Sequence, residues 1–173
     1  MKFKWRVTKY NPCFRDINGI YQKDEWTSIH HIGKVYDNKE FTLEEYLKKE
    51  DCYIQAIEQV LNFNKIESLI ITGLEKWGKE LEIDEFHKIY SQNMFHLYRS
   101  IYEGYSVRKN DISDLCRLIL RNQLWCKLNN SKIYIHFGHD YYMFIGCEEA
   151  CNNLENKIRK IGLFVENWIS PIN

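Results

Sequence analysis

Beyond residue 122 the apolar residues of this chain change their spacing. Leu124, Cys126 and Leu128 alternate with Trp125 and Lys127, and Ile133, Ile135 and Phe137 alternate with Tyr134 and His136. A spacing of two puts every second side chain on one face of an extended backbone, so each run predicts a half-buried strand. Gly138-His139-Asp140 supplies a turn into a third strand over 141–145, antiparallel to the one before it. The spacing then becomes helical over 148–161, with Cys151, Leu154, Ile158 and Ile161 on one face and Gly162 placed to end the helix. Residues 163–168 alternate again before Pro171. The last third is thus a β-β-β-α-β unit, which argues against a doubly wound parallel sheet.

The rest of the chain fits the same class. Phe3, Trp5 and Val7 alternate with Lys4, Arg6 and Thr8, which predicts a strand over 3–10 ended by Asn11-Pro12. Residues 11–40 read as a long irregular region with turn signals at Asp16-Ile17-Asn18-Gly19 and Asp37-Asn38. Loops of that length are uncommon in compact domains and are often functional. Thr42-Leu43-Glu44-Glu45 fits a capping box, flanked by Phe41 and Tyr46 at the staple positions. Leu43, Tyr46, Leu47, Ile54, Ile57, Val60 and Leu61 then form one helical stripe, predicting a helix over 42–62. An inner strand is expected over 68–72, closed by Gly73, and an edge strand over 79–83. A second helix is expected from Asp84 through Tyr102, stopped by Gly104, and a third over 111–121 capped by Asp111. With no repeat or linker, residues 1–173 read as a single α+β domain: a mainly antiparallel sheet with the helices packed together on one side.

Charge excludes some partners. Lys plus Arg equals Asp plus Glu, 24 against 24, so no basic excess marks a general nucleic-acid binder. No stretch approaches the roughly 18 apolar residues of a membrane span, and the start Met1-Lys2-Phe3-Lys4-Trp5-Arg6 lacks a signal-peptide apolar run. The six cysteines include no C-x-x-C pair, and without an export signal they read as buried free thiols of a cytoplasmic protein. Twelve tyrosines and five tryptophans are compatible with an aromatic recognition face.

The most chemical stretch is His136-Phe137-Gly138-His139-Asp140. With His30 or His31 it offers imidazoles and a carboxylate for a metal-assisted hydrolase. The competing reading is an exposed turn beside a surface-facing strand histidine, and it is favoured because zinc ligands are usually more tightly spaced. Cys147 and Cys151, four apart near a helix start, suggest an activated thiol, but both positions also suit a core residue. Asp24-Glu25-Trp26-Thr27-Ser28 combines acids with a stacking ring, and Trp26 reads first as an anchor that pins the loop to the core. Arg117 and Arg121, four apart on a helix, would clamp a carboxylate or phosphate, or meet acids of a neighbouring element. The common phosphate-loop, dinucleotide, hydrolase and zincin signatures are absent. The candidate catalytic residues are therefore His136, His139, Asp140 and His30. The candidate binding residues are Arg15, Tyr21, Asp24, Trp26, Trp125 and Tyr141, with no metal or cofactor expected.

Two segments also carry a resemblance. One is Arg6-Val7-Thr8-Lys9-Tyr10-Asn11-Pro12 with Arg15-Asp16, Gly19, Tyr21 and Asp24-Glu25-Trp26-Thr27-Ser28. The other is Leu124-Trp125-Cys126-Lys127-Leu128 with His136-Phe137-Gly138, Asp140-Tyr141-Tyr142-Met143 and Gly162-Leu163-Phe164-Val165-Glu166. Together they resemble a group of small uncharacterised bacterial cytoplasmic proteins, which implies a bacterial, cytoplasmic setting and carries no activity to transfer. In size and type the chain is also similar to immunity proteins of bacterial toxin systems. The expectation is a small interaction module, binding a protein partner or itself, rather than an enzyme.

Overall fold

The alternating runs pair into one seven-stranded sheet. The computed structural model describes residues 1–81, 86–149 and 152–168. In chain order the elements begin with β1 (Phe3–Thr8), the short hairpin of β2 (Val35–Tyr36) and β3 (Lys39–Glu40), and α1 (Leu43–Phe63). β4 (Ser68–Lys76), α2 (Gln92–Ser100), β5 (Ser106–Arg108) and α3 (Lys109–Leu120) follow. The C-terminal unit is β6 (Leu124–Asn129), β7 (Ile133–Phe137), β8 (Tyr142–Cys147), α4 (Asn152–Ile161) and β9 (Phe164–Asn167). The large sheet runs β5-β4-β6-β7-β8-β1-β9, and every neighbouring pair is antiparallel. β8 and β9 are therefore parallel. α4 carries the chain between them past one empty position, and β1 fills it.

One face of the sheet makes the core. Val7, Ile71, Cys126, Ile135, Ile145 and Val165 lie on it, all buried against Ile57 and Val60 of α1, Leu115 of α3 and Ile158 of α4. No helix among the described residues is long and apolar enough to cross a membrane.

Local signals explain most boundaries. Thr42 and Glu45 complete both halves of the capping box at the start of α1. Asp37 and Asn38 both adopt positive φ, 48° and 61°, the conformation of a type I′ turn, which folds β2 onto β3 where the sequence reads as loop. Gly73 does not end β4. At φ 63° it makes a bulge between Thr72 and Glu75, and its N–H and that of Leu74 donate to the Glu103 carboxylate at 3.0 and 2.9 Å. The helix expected from Asp84 begins outside the described residues, and its described part is broken. A single 3-10 turn over His87–Ile89 gives way to extended Tyr90, and Ser91 then caps α2 by accepting from the Met94 N–H. Serine favours that capping bond over a place in a helix interior. α3 starts two residues before Asp111, which accepts from Asn93 Nδ2 at 3.1 Å instead of capping. The edge strand expected over 79–83 does not form across 79–81, and its remainder lies outside the described residues, as do Cys151 and Pro171.

The helices are locked by a buried charge. Glu50 falls on the apolar stripe of α1 between Tyr46 and Tyr53 and is 0% exposed. Arg121, just past α3, grips it with two N–H···O bonds of 2.7 Å, and Arg117 adds a third of 2.7 Å. The Tyr46 hydroxyl donates to the same carboxylate at 3.1 Å. Removing one partner of a buried pair strands the other in a medium that cannot solvate it, at a cost of about 3–5 kcal/mol. Glu50→Gln should therefore lower the unfolding free energy by about 3 kcal/mol or more in chemical denaturation. Arg99→Ala, which breaks the exposed Arg99–Glu80 pair, should cost less than about 1 kcal/mol.

Candidate functional site: an aromatic cavity at one end of the sheet

The β7–β8 hairpin closes through a type I′ turn in which Asp140 and Tyr141 have φ of 55° and 63°, and the Tyr142 N–H donates to the His139 carbonyl at 3.1 Å. A left-handed aromatic residue is costly and persists only where its surroundings over-determine it. Here they do. The Tyr141 hydroxyl donates to the Leu120 carbonyl at 2.8 Å and lies 2.9 Å from the Tyr46 hydroxyl, while the Tyr53 hydroxyl donates to the Tyr141 carbonyl at 2.6 Å. Burial pushes the phenols of Tyr46, Tyr53 and Tyr141 well above the ordinary tyrosine range, so they stay protonated donors. The turn is thus tied to α1 and to the end of α3.

Beside this turn lies a cavity of about 780 Å³. Thr27 and Ser28 of the N-terminal loop form one wall, Gly138, His139 and Asp140 of the turn another, and Asn122 and Leu124 the floor between them. Asn122 has φ 57° where the chain leaves α3, and its side-chain amide donates to Ser28 Oγ at 3.3 Å, which holds loop and helix end together. The aromatic side is built by Trp125, Tyr142 and Phe144 from the sheet and by Trp77, which follows β4 and is 58% exposed. Trp125 is held by its indole N–H, which donates to the Phe137 carbonyl at 2.7 Å. Glu75 stands opposite Trp125 across β4 and β6.

Next to the cavity, the face of the sheet that among the described residues carries no α-helix is covered by long side chains of the sheet itself and of the N-terminal loop. Arg6 lies 3.9 Å from the centre of the Trp168 ring and grips Glu166 with Nε and Nη2 at 3.0 and 2.8 Å. Arg15 donates to the Tyr142 hydroxyl at 3.1 Å. Tyr134 lies over Gly146, where a Cβ would come within 2.1 Å of the ring, so only glycine fits there.

The residues singled out by sequence fall into distinct places. His139 and Asp140 border the cavity, but His136 points to the helix-free face, where its ring stacks on Tyr134 and Nε2 meets Asn129 Oδ1 at 2.9 Å. His30 is exposed and outside the cavity lining. Among the described residues no group of three His, Cys, Asp or Glu stands close enough to hold a metal ion. Trp125 and Tyr141 line the cavity, Tyr141 only 6% exposed. Trp26 stacks on Phe41 at 4.5 Å and meets Tyr141 edge-on at 4.9 Å, pinning the loop to the core. Tyr21 donates to Glu25, Arg15 is committed to Tyr142 and the Gly19 carbonyl, and Asp24 is exposed. Cys147 sits on the core side of β8, where burial raises its thiol to about 11, an unreactive state. Arg117 and Arg121 bind Glu50 rather than a ligand. Sequence reasoning passed over Glu75, Trp77 and Asn122 as site residues; Trp77-Gly78 reads in the sequence only as a turn, and the exposure of Trp77 appears only in the fold.

No protein-family model, curated protein or solved structure matches this chain.

The loop that supplies Thr27 and Ser28 is anchored by Lys9. Its ammonium lies 3.0 Å from Glu25, 4.1 Å from the Tyr10 ring centre and 4.3 Å from that of Trp26. Burial pushes it from its ordinary 10.5 down to about 8, against the pull of Glu25. The folded value lies below the unfolded one, so between these values the unfolded chain holds more protons and the Lys9 contribution to stability rises with pH. Burial raises the thiols of Cys126 and Cys147 to about 12 and 11, which works in the opposite direction. The difference between wild type and Lys9→Met removes the thiols from the comparison. That difference should grow in favour of the wild type by about 2 kcal/mol from pH 7 to pH 10 in urea titrations, and a flat difference would show that Lys9 is not desolvated.

Proposed function

We propose that this chain is a cytoplasmic binding module whose recognition site is the aromatic cavity at the end of the sheet, and that it receives a side chain presented by a partner protein. The observation that carries the reading is the cavity itself. At about 780 Å³ it falls within the few hundred to about 1,000 Å³ typical of ligand sites. Its walls belong to elements fixed from behind by the Tyr141, Asn122 and Trp125 hydrogen bonds. Rigid rings lose little entropy on binding, and tryptophan and tyrosine dominate the energetics of protein recognition. Trp77, exposed at the rim, suits a first point of contact. The buried free thiols Cys116, Cys126 and Cys147 support a reducing compartment. An antidote that occludes a toxin, in the manner of an immunity protein, is a partner relationship of this kind. The alternative, a metal-assisted hydrolase at His139 and Asp140, has less support, because His136 is engaged with Asn129 and Tyr134 and His30 lies apart.

A photoreactive phenylalanine analogue in place of Trp77, expressed in the source cells, should yield one discrete cross-linked protein. Thr27→Trp, which fills the cavity with a ring, should abolish that product. Persistence of the product in the filled variant, or the same product from a probe at exposed Glu44 on α1, would rule out the cavity as the site. A product of twice the chain mass would identify the partner as a second copy.

A further inference from the structure

We infer that the cavity is built for a guanidinium group, the side chain of an arginine on the partner protein. The inference rests on the reading of the cavity as a binding site and adds the chemistry of what enters it.

The molecule uses one device repeatedly: a cation held between a carboxylate and an aromatic face. Arg6 lies against Trp168 and grips Glu166. Lys9 lies against Trp26 and Tyr10 and pairs with Glu25. Arg121 lies 5.0 Å from the Tyr90 ring centre and grips Glu50. The cavity contains the same parts without the cation. Glu75 and Trp125 face one another across β4 and β6, so their side chains share a face of the sheet, and Trp77 lies just beyond Glu75. Asp140 borders the space from the turn. No lysine or arginine lines it, and among the described residues neither Glu75 nor Asp140 has a side-chain hydrogen bond or ion pair.

Charge and shape both select the occupant. A cation is attracted to an indole face within about 6 Å of the ring centre. Guanidinium is planar and weakly hydrated, so it stacks on a ring while its N–H fork meets a carboxylate, whereas a lysine ammonium keeps more of its water. The Tyr142 ring is already approached by Arg6 and Arg15, at 5.6 and 5.5 Å. Among the described residues neither Trp77 nor Trp125 stacks on another ring or on a cation, although the Trp125 ring packs at Gly73 near Lys127, and both border the cavity beside Glu75, so that end is the seat assigned to the arginine.

The test uses the full chain and a blocked pentapeptide, acetyl-Gly-Ser-Arg-Ser-Gly-amide, titrated while the indole N–H resonances of Trp77 and Trp125 are followed by NMR. Both resonances should shift saturably. The peptide with citrulline, the neutral isostere of arginine, should bind at least about tenfold more weakly, and Glu75→Gln should weaken the arginine peptide by about fivefold. Trp77→Leu, at a mostly exposed position, should weaken it similarly. Equal binding of the citrulline peptide would overturn the guanidinium assignment while leaving the cavity as a binding site. Failure of the arginine peptide to shift either indole would also overturn it, with the Trp77 cross-link then deciding the binding reading separately.

Discussion

Glu50 is a carboxylate with no access to water, placed on the helix face that faces the core. Isolated there it would be untenable. Two arginines from the end of α3 and the hydroxyl of Tyr46, one turn earlier on α1, make it tenable, so satisfying one charge fixes the end of α3 on α1, and the contact of Tyr46 with Tyr141 ties the β7–β8 turn to the same point. An apolar contact tolerates sliding, because dispersion is nearly indifferent to direction. A bidentate guanidinium–carboxylate pair does not, since both bonds are lost on a small rotation. The cavity inherits this rigidity. Leu120 and Asn122 on its border follow directly from the helix that carries Arg117, and Arg121 lies between them.

The two faces of the sheet solve burial in different ways. The core face is apolar and takes helices. The other face takes no α-helix among the described residues and is shielded by side chains lying along it: Arg6 between Tyr142 and Trp168, Tyr134 in the space above Gly146, and His136 on Tyr134. Long polar side chains cover apolar surface with their stems while their heads find partners. The result is a surface both aromatic and hydrogen-bonded, and the cavity opens where this cover stops.

How much of this could be read beforehand depended on distance along the chain. Alternation in β6, β7, β8 and β1 and the Thr42–Glu45 capping box are local, and the α+β class with its antiparallel C-terminal unit followed from them. Asp37-Asn38 was seen as a turn but not as a hairpin, since β2 and β3 are too short to show a period. Gly73 looked like an end because a sequence cannot distinguish a stop from a bulge. Glu50 was passed over because its partners lie 67 and 71 residues away, although the paired arginines on one helix face asked for an acid. The cavity was least legible. It draws on residues near 27, 75, 122 and 140, and none of those segments carries its pattern alone. The cavity joins the N-terminal loop to the hairpin turn, two segments whose candidate residues the sequence marks separately. Tyr141 was assigned to the strand, but its role in the turn depends on hydroxyl partners that only the folded chain provides.

The insertion of β1 between β8 and β9 has a consequence for the order in which the molecule assembles. Phe3–Thr8 is synthesised early, yet its partners lie at the other end, and Arg6 and Glu166 are 160 residues apart. Until β8 and β9 exist, a strand bearing Phe3, Trp5 and Val7 has both edges unpaired, the condition in which strands find wrong partners. The slot itself is open only while α4 has carried the chain across without β1 in place. Helices and the β6–β7–β8 meander can form from nearby contacts, whereas closing the sheet waits for the largest loop in the molecule. The step that completes the domain is thus the docking of its N-terminal strand, and Lys4 and Arg6, which alternate with its apolar residues, are the kind of charge that discourages wrong strand pairing.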